Sequence, residues 1–157
     1  MSTKQNNMPD YAYNRKASFE YDILEKFEAG LVLTGPEVKS IRGSGLSLNG
    51  VFVTFHNQEG WLVNLHIPRC KYASSSVAHE PDRSRKLLLN KKEISYLTGK
   101  LAVKGLTIIP LRLYNKARHL KVEIALVRGK KKHDKREKIK RRDLDRQIQR
   151  AKKGELN

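Results

Sequence analysis

Leu120, Val122, Ile124 and Leu126 alternate with Lys121, Glu123, Ala125 and Val127, a period of two that an extended strand with one buried face satisfies. The preceding run, Leu106 to Tyr114, is rich in β-branched and leucine residues, and Tyr114 to His119 between the two reads as a hairpin turn. A second hairpin is expected from Val51-Phe52-Val53-Thr54-Phe55 and Trp61 to Ile67, joined through Asn57-Gln58-Glu59-Gly60. Long stretches of this chain can bury their apolar residues only as sheet.

Helices fill the intervals. Thr34-Gly35-Pro36-Glu37 is a capping box with proline at the first helical position, predicting a short helix to about Gly43. Val38 and Ile41 would face inward and Lys39 and Arg42 outward. Asn90 with Glu93 marks another helix start, with Ile94, Leu97 and Leu101 as its core stripe despite the weakening Gly99. Asn14 can cap a short helix with Phe19 on its inner face, and Tyr21 to Leu33 is read as helix passing into strand. The expectation is a mainly β domain with short helices, closed as a small OB-fold-like barrel over residues 14–128. Residues 1–13 are polar and aperiodic, and are expected to be a disordered arm.

Charge is distributed unevenly. Residues 1–127 hold 19 basic and 11 acidic side chains, whereas residues 128–153 hold 14 basic and four acidic, within a formal net charge of +17. Such an excess repels itself unless a polyanion relieves it, and nucleic acid is the obvious partner. No basic stretch carries the Trp, Phe and Leu face that a membrane-surface helix needs, and none approaches the roughly 18 apolar residues of a span. No membrane partner is expected. Cys70 is the only cysteine, so the fold must rest on its core, and with no apolar leader near the start a cytoplasmic compartment is expected.

Catalytic machinery is not visible. His56, His66, His79, His119 and His133 are scattered, with no His-Glu-x-x-His and no cysteine pair, and Gly43-Ser44-Gly45 is too short for a phosphate loop. Asp134, Asp143 and Asp145 would hold a metal only amid cations on an unsupported segment. No catalytic residue, no metal and no cofactor is expected; the reading is a non-enzymatic RNA-binding protein.

Two basic segments carry the chemistry. Arg83-Ser84-Arg85-Lys86 precedes Leu87-Leu88-Leu89, so three cations sit beside a segment anchored in the core, where arginine can grip phosphate through both of its donors. In the tail, Asp134 and Glu137 form a further capping pair, and Asp134/Lys138 and Glu137/Arg141 stand at helical spacing with the acid first. A helix over 134–153 would span about 30 Å. Ile139, Leu144, Ile148 and Ala151 make too thin a stripe to hold it on the domain, so residues 129–157 are expected to be disordered when free and to fold on RNA.

Four strings in order, Glu28-Ala29-Gly30, Gly35-x-Glu-Val-Lys-Ser-Ile-Arg42, Arg83-Ser-Arg-Lys-Leu-Leu-Leu-Asn90 and Gly129-Lys-Lys-Lys-His-Asp-Lys-Arg136, closely resemble the SmpB family of bacterial SsrA-binding proteins. The resemblance covers nearly all of residues 14–153. It implies an adaptor that binds the tRNA-like domain of transfer-messenger RNA (tmRNA, SsrA RNA) and, with elongation factor Tu, delivers it to stalled ribosomes for trans-translation. By motif, Asn14, Tyr21, Glu28, Leu88 and Lys121 fall on the family's tmRNA-binding surface, with Lys39, Arg42, Arg83, Arg85 and Lys86 as phosphate contacts. Gly129, Lys130, Lys131, Lys132, His133, Asp134, Lys135 and Arg136 match the tail segment that enters the empty messenger channel near the decoding centre, His133 as a base-stacking contact. A monomer is expected. The alternative is a general RNA-binding or ribosome-associated structural protein.

Overall fold

The computed structural model describes residues 10–70 and 80–154. His79, residues 1–9 of the expected arm and residues 155–157 of the tail lie outside them.

Seven strands form one antiparallel sheet in the order β1-β6-β7-β2-β5-β4-β3. They are β1 (Asp10–Tyr13), β2 (Tyr21–Leu31), β3 (Phe52–His56), β4 (Glu59–Val63), β5 (Arg85–Leu88), β6 (Leu106–Lys116) and β7 (His119–Gly129). The helices are α1 (Ala17–Glu20), α2 (Gly35–Gly43), α3 (Lys91–Leu101) and α4 (Lys132–Gly154).

Both expected hairpins form. Their turns are tighter than the composition suggests, because Asn57 and Gln58 adopt φ of 51° and 60° and Ala117 adopts 55°. The left-handed pair at 57–58 matches the right-handed twist of the flanking strands, so Glu59 and Gly60 already belong to β4. β4 stops at Val63, since Asn64 at φ 65° turns the chain; Leu65 and Ile67 are buried beyond the strand. Both capping boxes are present, the Thr34 N–H donating to Glu37 Oε2 at 2.9 Å and the Asn90 N–H to Glu93 Oε2 at 3.0 Å.

Three expectations are corrected. The sheet does not close: β1 and β3 are its two ends and are not hydrogen-bonded to each other, although β3 packs against β6 across the core. Register shifts interrupt the ladders at Asp10/Ala12, Ile23/Glu25 and Pro110/Arg112, the last where proline removes a ladder donor. Residues 21–31 are strand throughout, because pairing along almost all of β7 overrides a locally ambiguous pattern. Residues 10–13, expected in the arm, pair with Arg112 to Tyr114 as β1. Of the tail, residues 132–154 are helical here, starting at Lys132 rather than Asp134, with no buried residue.

β7 also departs from simple alternation. Val122, Ile124 and Leu126 enter the main core with Ile41, Leu62, Leu97 and Ile108. Ala125 and Val127, on the opposite face, are buried as well, in a small second cluster with Ala17, Ile109 and Leu111. The short α1 lies over that end of the sheet. Of the expected outward residues at 121, 123, 125 and 127, only Lys121 and Glu123 stay out of a core cluster.

Candidate nucleic-acid interface

Gly30 on β2 pairs with Leu88 on β5 and with Lys121 on β7. With no side chain at Gly30, Leu88 folds over the strand; an added Cβ there would stand 3.1 Å from the Leu88 Cβ and 3.2 Å from Cδ1. Leu88 is 56% exposed, an apolar side chain held at the surface. It floors a groove of about 250 Å³ lined also by Arg42 of α2, Arg118 and His119 of the β6–β7 turn, and Lys121. No carboxylate lines it, and Arg42, Arg118 and Lys121 make no ion pair among the described residues. A cationic groove with an apolar floor and no carboxylate in its lining suits a sugar–phosphate backbone.

Beside it the same face is electrostatically balanced. Tyr114 donates to Glu28, and Lys116 Nζ lies 2.9 Å from both Glu28 oxygens. Those bonds, with Tyr114 first, hold the Glu28 carboxyl below its ordinary range. Burial, then the bond to Glu28, pushes the Tyr114 hydroxyl up, so it stays a donor. Glu123 accepts from Arg112 Nε at 2.6 Å and pairs with Lys26 Nζ at 3.1 Å, while the Arg112 guanidinium stacks on the Tyr114 ring at 4.6 Å.

Of the sequence-predicted residues, the structure gathers Glu28, Arg42, Leu88 and Lys121 at one place. Lys39 is exposed on α2. Lys86 projects from β5 but is paired with Glu59. Arg85 is corrected: it is fully buried, donating through Nε and Nη2 to Glu37 Oε1 at 3.2 and 3.0 Å, to the Pro81 carbonyl at 2.8 Å and to the Leu65 carbonyl. It presents nothing to a phosphate. Arg83 spends its fork on the same carboxylate, Nε to Glu37 Oε1 at 2.8 Å and Nη2 to Oε2. Burial works to raise the Glu37 carboxyl, but bonds from Arg83, the Thr34 N–H and Arg85 outweigh it and bring it to about 2.

Asn14 is 8% exposed; its Nδ2 donates to the Pro110 carbonyl at 3.3 Å and its Oδ1 accepts from the Ala17 N–H at 3.1 Å. It fixes the turn from β1 into α1 and lines the hollow beside Arg112 and Glu123. Tyr21 is half-buried against the second cluster. Arg118 and His119 escape sequence reasoning, although a basic residue at the tip of the expected 114–119 turn is a signal that could find them.

The tail segment divides in two. Gly129 ends β7, and the Lys130 N–H donates to the Glu20 carbonyl at 3.0 Å while its Nζ reaches the Ser18 carbonyl at 2.9 Å and Asp22 Oδ1 at 3.5 Å. Lys138 Nζ bonds the same Ser18 carbonyl at 2.6 Å. Lys131, Lys132, His133, Asp134 and Arg136 are exposed and Lys135 partly so; the His133 ring lies 3.6 Å from Glu137. Beyond Lys138 every residue of α4 is exposed.

Among the described residues no group of three or more His, Cys, Asp or Glu stands as a metal cluster, and no helix is long and apolar enough to cross a membrane. Residues 11–154 match the model of the SmpB protein family. The SsrA-binding protein of Sulfurihydrogenibium sp. (strain YO3AOP1) is 51% identical over 92% of this chain and 95% of its own length. That of Nostoc punctiforme is 48% identical over 98% and 99%. A solved structure described as "tmRNA-SmpB: a journey to the center of the bacterial ribosome" is similar with a TM-score of 0.63 and 44% identity, covering 76% of this chain and 84% of that one.

Proposed function

This chain belongs to the SmpB family, and from that premise we propose that it binds the tRNA-like domain of tmRNA on the β5–β2–β7 face and carries it to stalled ribosomes for trans-translation. The observation that carries the division of labour is the presence of two separate cationic surfaces. One is rigid, where Arg42, Arg118 and Lys121 surround Leu88 over Gly30. The other is α4, a 23-residue helix with no buried residue.

The groove grips one RNA by its backbone. Lys39 widens its cationic rim, and Glu37 with Arg83 and Arg85 holds α2 against the loop before β5. The tail serves the second RNA. A helix inside an RNA-walled channel meets phosphate on several sides and no apolar partner, so a helix charged nearly all round fits that destination. Lys131, Lys132, His133, Asp134, Lys135 and Arg136 are its leading contacts, with His133 placed to stack on a base. Elongation factor Tu joins through the tmRNA complex, and the protein acts as a cytoplasmic, monomeric adaptor without chemistry of its own.

Truncation after Gly129 tests this reading. Affinity for tmRNA stays near that of the full chain while tagging of stalled nascent chains is abolished. Loss of both together refutes the division. A competition titration against ordinary tRNA addresses the general RNA-binding alternative, which equal affinities would favour.

A further inference from the structure

Outward residues on β7 are two apart, so Lys121 of the cationic groove is followed about 7 Å along the same face by Glu123. Around Glu123 lies a separate groove of about 290 Å³, formed where β1, β6, β7 and β2 run side by side below α1. Its chemistry is different. Tyr13 is 59% exposed and Ile23 is 37% exposed, two unburied apolar side chains lining one hollow. Tyr13 stands directly opposite Arg112 in the β1–β6 register. Lys26 and Arg112 are both paired with Glu123, and Arg112 approaches Asp10 at 3.9 Å. Two cations and two carboxylates leave the rim without net charge.

Such a hollow has little to offer a phosphate, which the neighbouring groove accommodates better. It suits an uncharged planar group whose edge carries both donors and acceptors: the carboxylates accept from ring N–H and amino groups, and the guanidinium and ammonium donate to ring nitrogens and carbonyls. The exposed ring of Tyr13 supplies a stacking surface. We infer that the groove between Tyr13 and Ile23 holds an unpaired nucleobase of the bound RNA, stacked on Tyr13 and read along its edge by Arg112, Glu123 and Asp10. This rests on the RNA-binding function proposed above and divides the face into a backbone-holding half and a base-reading half, the usual partition between positioning and specificity. A protein side chain in the same hollow is the competing occupant, and RNA is favoured by the adjoining cationic groove on the same strands.

The test uses the full chain with Tyr13→Ala and Tyr13→Phe, and two probes: the tRNA-like domain of tmRNA and a single-stranded oligoribonucleotide carrying 2-aminopurine. Tyr13 is exposed, so both variants should fold, and thermal melts verify that. Tyr13→Ala lowers affinity for the tRNA-like domain on the order of tenfold with the salt slope unchanged, because Tyr13 neutralises no phosphate. Tyr13→Phe keeps the ring and binds as the parent does. The parent and Tyr13→Phe quench aminopurine fluorescence; Tyr13→Ala does not. Unchanged affinity in Tyr13→Ala, retained quenching there, or equal loss in both variants overturns the inference. Failure of the parent to prefer tmRNA over tRNA would instead count against the proposed function, and the aminopurine arm would still decide the site.

Discussion

Glu37 Oε1 accepts from both Nε and Nη2 of Arg85, at 3.2 and 3.0 Å, and the two side chains are 1% and 0% exposed. They lie 48 residues apart and join the first turn of α2 to β5. Removing one partner of a buried pair leaves the other charged and uncompensated. Glu37→Gln therefore costs about 3–5 kcal/mol, measured as a fall in denaturant midpoint with an unchanged m-value.

The same carboxylate sets an acid limb. Its folded pKa, about 2, lies below the ordinary 4.5, so its contribution is fully present above about pH 4.5 and is lost as pH falls towards 2. Thermal melts from pH 6 to 2.5 should show that loss in the parent and a flatter profile in Glu37→Gln. Equal slopes in both would assign the acid limb to other carboxylates.

The arginines differ in what they do to RNA binding. Removing a cation that neutralises one phosphate lowers the slope of log affinity against log salt by about 0.7 to 0.9. Lys121→Met and Arg118→Met each reduce the slope by about that amount. Arg85→Met leaves it unchanged in the folded protein, because Arg85 neutralises Glu37 and no phosphate. A reduced slope in Arg85→Met would restore it to the phosphate-binding set.

Arg85 also marks where local pattern stops being informative. The capping boxes at Thr34/Glu37 and Asn90/Glu93 and the two hairpins are legible because their partners are a few residues apart. Arg85 reads as a surface cation until Glu37 is brought to it, and β1 reads as an arm until Arg112 to Tyr114 is brought to it. β2 is ambiguous because exposed Leu24 and the Ile23/Glu25 register shift break its alternation. Of the site, Glu28, Arg42, Leu88 and Lys121 stand out by motif, whereas Arg118 and Tyr13 acquire meaning only from the strands that bring them beside other residues.

Gly30→Ala tests the close approach of β2 and β5 beneath Leu88. The new methyl would stand 3.1 Å from the Leu88 Cβ, which no side-chain rotation moves, so β5 must give by a few tenths of an ångström against β2 and the melting midpoint should fall by the equivalent of about 1–3 kcal/mol. The groove floor moves with it, and affinity for the tRNA-like domain falls. Loss of fold in this variant, or unaltered affinity, would mean that Leu88 is not held over Gly30 for binding.

Lys130 and Lys138 place two ammonium groups on one carbonyl, that of Ser18, and the nearness of Lys130 depresses the Lys138 pKa. Like charges sharing an acceptor repel, so the contact that seats the start of α4 on α1 is weakly held and easily exchanged for phosphate. Beyond it no residue of the helix is buried, and an isolated helix of this length is marginal in water. Lys138→Met removes one of the two charges and leaves Lys130 on Ser18 and the Glu20 carbonyl, so the first turn stays seated. The double variant Lys130→Met/Lys138→Met removes both ammonium anchors. Circular dichroism should then show little change in helix signal for the single variant and a loss for the double one, with tmRNA affinity unchanged in both because the groove around Leu88 is untouched. Equal helix loss in the two variants would show that Lys138 alone seats the tail.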